Sequence, residues 1–368
     1  MLCDNTPTNT GHKTGAVASL EKILDKKLHT IGCSLHHNEL PLRAIFKEID
    51  GVTKAPDKFS GPIGKKLSED IHLLPQVEFE PIPSPITDMV FKEERMKDLS
   101  RDQRLLLEYT RGIAYGAVDT KYVSWKIGPL AHSRWLTLAI RAMCLYTRGT
   151  CPPPSRPNLK KVVRFIVEVY ACSWFRIKQT NAFHKQPEII HEMVKKIMEQ
   201  PEDVIKIAIS NLQHNSFGLL PENVVYAMCK SESVAIREEG FRIILSCRDR
   251  APLPRSKVIP EINRAAKIWT ELVNTSKFFD FNCEPALTES FSCDDIKNAV
   301  LNGTKLPLPS FPAHSQSVER AVKLTTEATK KVYGFEGRHE QILTKLFSRR
   351  ARPAFSSKGK YSMNFESP

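Results

Sequence analysis

The sequence lacks the features that mark a membrane or secreted protein. It has no run of about 18 consecutive apolar residues, the length typical of a transmembrane helix, and residues 1–13 are too polar for a signal peptide. Its nine cysteines are scattered and form no C-x-x-C pair, which argues against a disulfide framework or a four-cysteine zinc site. These absences predict an intracellular, soluble protein with reduced thiols and no membrane partner.

The charge is strongly positive. Lys and Arg number 54 against 41 Asp and Glu, a formal net charge of +13. Such an excess favours an anionic partner, either nucleic acid or an acidic membrane surface, although the ordinary interpretation of any single basic run is a solvated face of the fold. A DNA partner would place the protein in the nucleus, and the Arg-rich residues 349–352 are a weak candidate for an import signal.

The first 51 residues predict alternating α and β structure. Apolar residues recur at helical spacing from Gly15 to Lys27, residues Leu28 to Cys33 suit a short strand, and a second helix follows that should end at Gly51. The turn-forming residues 5–11 have only four residues before them, which suggests that an upstream segment is missing.

The rest of the chain divides by composition. Residues 52–98 hold many prolines and glycines and predict a loop or linker, whereas residues 99–275 predict an all-α domain of six to eight helices. Residues 276–347 combine a loose stretch with a last helix over Ser315 to Val332, and residues 348–368 predict a basic disordered tail.

Three positions near the N-terminus could carry chemistry. Asp4 lies where a strand would end and a turn begin, so it is either a metal ligand or an aspartate that organises the turn. Cys33 and His36 form a C-x-x-H pair, which supplies two of the four ligands of a zinc site or, alternatively, a buried thiol beside a hydrogen-bonded histidine.

Three later residues are also candidates. Glu319, in the first turns of the last helix, could coordinate a metal or form an i,i+4 ion pair with Lys323. Arg134 and Trp135 could bind a phosphate and stack an unpaired base, while core packing is the ordinary role of such a tryptophan.

The order of these motifs resembles the hAT superfamily of DNA transposases. Cys3-Asp4-Asn5-Thr6 resembles the stretch around that family's second catalytic aspartate, and Cys33-Ser34-Leu35-His36 its C-x-x-H element. Arg134-Trp135 resembles its Arg-Trp motif, and Ser317-Val318-Glu319-Arg320 a helix start that carries the third catalytic acid, although Val318 interrupts the family's pattern. The resemblance spans about residues 3 to 350.

The resemblance implies a mixed, mostly α fold in which a large all-α insertion interrupts an RNase H-like α/β core. Two Asp and one Glu would hold two Mg²⁺ ions for DNA cleavage and strand transfer, and Asp4 and Glu319 would be two of these three ligands. Cys33 and His36 would brace the site, Trp135 would stack on a flipped base beside Arg134, and the C-terminal segment would form a homo-oligomer. Only three residues precede Asp4, so the first catalytic aspartate is missing and activity is not expected.

Two alternatives stay open. The chain could be a non-enzymatic basic helical protein that binds DNA or protein, or an unrelated helical scaffold in which every motif has an ordinary structural role. The distance between the Asp4 and Glu319 carboxylates would separate an active-site remnant from a scaffold.

Overall fold

The computed structural model describes residues 2–3, 10–11, 15–24, 28, 30–55, 58–91, 93–97, 99–128, 130, 135–148, 151–180, 182–246, 260–277 and 293–303. Over these ranges the chain is mostly helical, as predicted. It divides into two compact units, one made of Met1–Met89 and Asp102–Ala313 and the other of Val90–Arg101 and His314–Pro368.

The N-terminal residues form a small βαβ unit. Strand β1 (Leu2–Cys3) pairs in parallel with β2 (Ile31–Gly32), and helix α1 (Ala16–Leu24) lies between them in the chain. The predicted helix is confirmed. The strand expected from Leu28 to Cys33 is shorter in the described residues, where Ile31 and Gly32 pair with Leu2 and Cys3.

Helix α2 (Ser34–Asp50) follows β2 and ends where the sequence predicted. Gly51 has a φ of 93°, a backbone conformation that disfavours any side chain, and its N–H donates to the Lys47 carbonyl to close the last turn. Leu42, Ile45 and Phe46 are fully buried. Helix α2 therefore belongs to the core of the protein.

Residues 52–91 contain more secondary structure than the predicted loop. Strands β3 (Thr53–Ala55) and β4 (Lys58–Phe59) form an antiparallel hairpin, and α3 (Pro62–Leu67) follows. Pro62 and Pro85 each start a helical turn, since a proline fits the first helical position. Six apolar side chains of this segment are buried, namely Phe59, Ile63, Leu67, Ile71, Ile82 and Ile86.

The second unit contributes α4 (Glu93–Lys97), whose two terminal residues form an ion pair of 2.8 Å. In the part of residues 99–277 that the structure describes, nine α-helical segments occur and no strand. They are α5 (Arg101–Tyr115), α6 (Thr120–Val123), α7 (Leu136–Arg148), α8 (Arg156–Phe165), α9 (Ala171–Thr180), α10 (Gln186–Met198), α11 (Glu202–Asn215), α12 (Pro221–Cys229) and α13 (Val234–Ser246).

A π-helical turn, Ile166–Tyr170, joins α8 and α9 into one continuous helix, so the count of separate helices is eight, within the predicted six to eight. A π turn disrupts the regular i→i−4 bonding of the backbone, and side chains from elsewhere bind its carbonyl groups. Asn38 Nδ2 of α2 donates to the Tyr170 carbonyl (3.1 Å), and Ser84 Oγ donates to the Val167 carbonyl (2.7 Å). The Pro-rich segment around Ser84 is therefore bound to the helical core.

Buried arginines also hold connecting segments to the helices. Arg141 of α7 donates to the Leu67 carbonyl (2.7 Å) and the Gly128 carbonyl (3.1 Å). Arg237 of α13 donates to the Ser231 carbonyl (2.6 Å). Their charges are directed at backbone oxygens inside the protein, so these two cations do not contribute to a binding surface.

The last described element is α14 (Cys293–Asn302), which lies in a stretch predicted to be loose. It packs on α13, where Ala299 joins the buried cluster that contains Phe241 and Ile244. The predicted helix over Ser315 to Val332 and the tail 348–368 lie outside the described residues. Among the helices that the structure describes, none has the length and apolar character needed to cross a bilayer.

Candidate functional site

The carboxyl ends of the two parallel strands meet at one edge. Cys3 is paired with Gly32, and each is the last residue of its strand. The next residue after β1 is Asp4, which lies outside the described residues, and the next after β2 is Cys33. Functional groups in α/β proteins collect at this kind of edge because loops there can present side chains to a common space.

Two amide side chains from the helical region fix β2. Gln186 Nε2 donates to the Gly32 carbonyl (2.7 Å) and contacts Ser34 Oγ, while Asn223 Nδ2 donates to the Thr30 carbonyl (3.1 Å). These carbonyls would otherwise be acceptors for another strand. The amides connect the βαβ unit to helices α10 and α12, although more than 150 residues separate them in sequence.

The C-x-x-H pair lies at the start of α2. Cys33 is fully buried at the position before the helix, and His36 Nδ1 lies 3.2 Å from a carboxylate oxygen of Glu39. Burial, with a smaller contribution from the charge of His36, lowers the pKa of the neighbouring His37 to about 3, so the His37 imidazole is neutral. This arrangement fits a helix start braced by internal contacts.

Glu222 is a buried acid that the sequence reasoning missed. It is 1% exposed at the start of α12, next to Asn223, which binds β2. Burial raises the pKa of its carboxyl group to about 7, and the backbone N–H of the same residue opposes the rise. An acid in the first turn of a helix is so common that no sequence pattern indicates the burial of Glu222.

Trp135 immediately precedes α7 and has an unusual backbone. Its φ is 54°, and among the described residues no other non-glycine residue has a positive φ. Its ring makes an edge contact with Phe46 of α2 at 6.0 Å between centroids, and Phe46 contacts Phe59 of β4 at 5.6 Å. The side chain is only partly buried, so Trp135 both packs on the core and reaches the surface.

A left-handed conformation at a bulky residue costs on the order of 1–3 kcal/mol and is found mainly where surrounding contacts enforce it. Phe46 supplies such a contact here and is itself packed against Phe59. Arg134, predicted to act beside Trp135, lies outside the described residues.

A separate cleft of about 450 Å³ lies between the π turn, α9 and α10. Its charged lining is largely paired, since Arg176 binds Glu192 at 2.7 Å and Lys196 binds Glu199 at 2.9 Å. None of the residues predicted to act at a site lines this cleft.

The Mg²⁺ that the resemblance implies needs carboxylate oxygens. Near the β1–β2 edge the described candidate ligands are a buried thiol, an imidazole and the Glu39 carboxylate paired with it, and a single carboxylate does not by itself fit a two-Mg²⁺ site. No group of three or more His, Cys, Asp or Glu side chains suited to a metal converges within the described residues. Asp4 and Glu319, the expected ligands, both lie outside them.

Comparison with known proteins gives no relative: no family model matches the sequence, and no curated protein and no solved structure is similar to it.

Proposed function

We propose that this chain is a transposase-derived, DNA-binding protein, the remnant of a two-metal DNA cleavage and strand-transfer enzyme that is inactive in this form. In this proposal the βαβ unit and α2 belong to an RNase H-like core of the hAT kind, and the helices of residues 99–275 form the insertion. Localisation in the nucleus and a homo-oligomer formed through the C-terminal segment are parts of the same proposal.

The observation that carries the proposal is the parallel pairing of β1 and β2. It brings the residue before Asp4 level with the residue before Cys33, so that both motifs follow the same edge of one sheet. A metal-dependent nuclease of this class needs its second acid at such an edge, because ligands from distant parts of the chain must converge there. The side chain of Gln186 occupies the Gly32 carbonyl of β2, and that of Asn223 the Thr30 carbonyl just before β2, so a further strand would pair more readily with β1.

Asp4 and Glu319 would supply oxygen ligands to Mg²⁺, which would activate a nucleophile and stabilise a leaving oxygen when bound. Cys33 and His36 would position the start of α2 beside this site. With a single Asp and a single Glu, the ion would bind weakly, because each missing carboxylate removes negative charge that holds it.

The proposal can be tested by titrating Mn²⁺, a substitute for Mg²⁺, into the full chain and following free Mn²⁺ by electron paramagnetic resonance. We expect weak binding that falls by about tenfold or more in Asp4→Asn and in Glu319→Gln, since second and third carboxylates dominate affinity for hard cations. Asp294→Asn and Glu202→Gln, two exposed acids elsewhere, are matched controls. Equal Mn²⁺ affinity in all four variants would contradict the assignment of Asp4 and Glu319 as metal ligands.

A second function, a non-enzymatic basic DNA- or protein-binding module, is favoured by Trp135. Its enforced left-handed backbone presents an aromatic ring at the surface without any need for a metal. Fluorescence anisotropy with labelled hairpin-ended duplex DNA separates the two functions. Binding that is unchanged by EDTA, together with unchanged Mn²⁺ affinity in Asp4→Asn, would favour the binding module.

A further inference from the structure

Five exposed basic side chains lie on the elements that surround the aromatic contact between Trp135, Phe46 and Phe59. They occupy α2, β4, α3 and the first residue of α8, and we call them the unpaired basic cluster: Arg43, Lys47, Lys58, Lys65 and Arg156. Phe46 precedes Lys47 and Phe59 follows Lys58 in the chain, so the buried aromatic residues anchor the backbone on which these cations sit.

A buried carboxylate joins the elements of the cluster. Asp50, the last residue of α2, accepts hydrogen bonds from the Ile63 N–H (2.9 Å) and the Gly64 N–H (2.6 Å) at the start of α3. The carboxylate thus takes the capping position at the N-terminus of α3. This contact fixes α3, with Lys65, against the end of α2.

Electrostatic coupling extends this junction to α8. Burial raises the pKa of the Asp50 carboxyl, and the nearby Lys65 ammonium is among the groups that oppose the rise. Burial likewise raises the pKa of the Cys151 thiol, while Arg156 opposes that rise and Asp50 adds to it. Lys65 therefore lies within electrostatic range of Asp50, and Arg156 and Asp50 both lie within electrostatic range of Cys151.

The cluster residues have no carboxylate within ion-pair distance in the part of the chain that the structure describes, a property they share with other exposed cations such as Lys195 and Arg264. Several other surface cations are paired: Lys160 with Glu80, Lys161 with Asp203, Arg176 with Glu192, Lys196 with Glu199 and Arg242 with Glu239. Glu48 is an exposed acid on α2, but it forms no ion pair with the cluster. Five uncompensated charges on fixed elements create a positive potential that attracts an anionic polymer.

We infer that the unpaired basic cluster binds the phosphate backbone of a DNA strand that passes Trp135. The inference rests on the proposed function and adds a set of residues to it. Nucleic acid is the partner that fits, because proteins that bind single strands combine a row of cations with an aromatic ring on which bases stack. Trp135 supplies the ring, and the cations lie on α2, which contacts it through Phe46, and on the neighbouring elements β4, α3 and α8.

The test compares two variants with the same net charge. One replaces the five cluster residues with Gln, and the control replaces Lys160, Lys161, Arg176, Lys196 and Arg242 with Gln. Each lowers the formal charge from +13 by five. Circular dichroism melting checks that both variants fold, which is expected because the replaced side chains are at the surface. Affinity is then measured by fluorescence anisotropy for a duplex with a single-stranded overhang, between 50 and 300 mM salt.

We expect the cluster variant to lose at least about 30-fold in DNA affinity at low salt, and the slope of log affinity against log salt to fall by about 4, close to one per phosphate contact. The control variant should stay within about threefold of wild type, since its cations are already neutralised by carboxylates. Equal losses in the two variants would overturn the inference, because only total charge would then matter.

A parallel binding measurement with phosphatidylserine vesicles distinguishes DNA from an anionic membrane as the partner. Wild type that binds phosphatidylserine vesicles but not DNA, with binding lost in the cluster variant, would overturn the assignment of the cluster to nucleic acid. Wild type that binds neither would contradict the proposed function. Wild type and cluster variant that bind DNA equally would leave the proposed function intact and contradict only the inference.

Discussion

Two regions of the molecule differ in whether their surface cations are paired with carboxylates. Along α8 to α13, several surface cations lie within 4 Å of carboxylates, as Lys161 does with Asp203 and Arg242 with Glu239, although Arg156 and Lys195 do not. Around the hairpin β3–β4 and the start of α7, the exposed cations lack such partners, and a partly exposed tryptophan lies among them. The first pattern makes a soluble surface with little net field, whereas the second leaves charge available to an external anion.

The comparison shows that net charge alone locates no binding surface. The total of +13 is spread over the whole chain, and many of its cations are neutralised locally. Five of the uncompensated cations lie on elements around Asp50, which is the acid best placed to neutralise Lys65 but is buried and bonded to backbone N–H groups. The Asp50 carboxylate joins α2 to α3 through these backbone bonds and therefore does not pair with Lys65 at the surface.

Glu222 is an exception within the helical region, because no cation among the described residues is paired with its buried carboxyl group. Its carboxyl pKa is raised from 4.5 to about 7, so between these values the folded state holds more protons than the unfolded state. Stability should therefore fall as pH rises from 4.5 through 7. We expect Glu222→Gln to raise the free energy of unfolding at pH 8 by up to about 3 kcal/mol and to leave it nearly unchanged at pH 4.

Urea denaturation followed by circular dichroism at the two pH values measures this difference. Glu202→Gln, at an exposed acid paired with Lys206 on α11, is the control and should change stability little at either pH. A gain of equal size at pH 4 and pH 8 would mean that the buried charge is not the cause.

The sequence predicted the elements that depend on local patterns. Helices α1 and α2 follow from the spacing of their apolar residues, and the end of α2 follows from Gly51. Residues 52–91 were harder to predict, because the burial of Ile63 or Ile82 depends on helices distant in the chain. Prolines and glycines in that segment predicted a loop, yet Pro62 begins α3.

The candidate site was partly predictable for the same reason. Tryptophan next to arginine is recognisable as a sequence motif. The left-handed backbone of Trp135, however, accompanies a contact with Phe46, and that contact cannot be predicted from the residues next to Trp135. Nor does the sequence distinguish Lys65, which lacks a carboxylate partner, from Lys66, which pairs with Glu69 at 3.0 Å. Asp4, Arg134 and Glu319 lie outside the described residues, so their roles stay predictions.

The backbone at Trp135 provides the next prediction. At a φ of 54° an alanine keeps the steric strain of the left-handed region, whereas a glycine does not. We therefore expect Trp135→Gly to be more stable than Trp135→Ala by about 1 kcal/mol in urea denaturation. Both variants should bind overhang DNA about 5- to 100-fold more weakly than wild type if the ring stacks on a base.

Glu238, exposed in the middle of α13, is the matched control for the backbone effect. There the order should reverse, with Glu238→Gly less stable than Glu238→Ala by about 1 kcal/mol, because glycine loses more entropy in a regular helix. If glycine were the less stable replacement at both positions, the left-handed conformation of Trp135 would not exist in solution.

The smallest effect is expected at the ion pair of Lys161 and Asp203. Their charged atoms lie 2.6 Å apart, but the side chains are 38% and 53% exposed, so solvent screens the attraction. A double-mutant cycle with Lys161→Gln and Asp203→Asn should give a coupling free energy of roughly 0.5 kcal/mol or less at pH 7. The hydrogen bond from Lys161 is the largest cause of the lowered pKa of Asp203, so this small coupling should be present above pH 3.8 and disappear as pH falls below the depressed value.

Single substitutions of Lys161, which is paired, and Lys65, which is unpaired, test the contrast between the two regions directly. Lys161→Gln should leave DNA affinity unchanged, because its charge is already compensated, whereas Lys65→Gln should weaken binding and lower the salt slope by about 1. An equal loss in both variants would show that a carboxylate partner does not prevent a surface lysine from binding phosphate. Pairing would then no longer explain why one basic region, and not the other, should bind DNA.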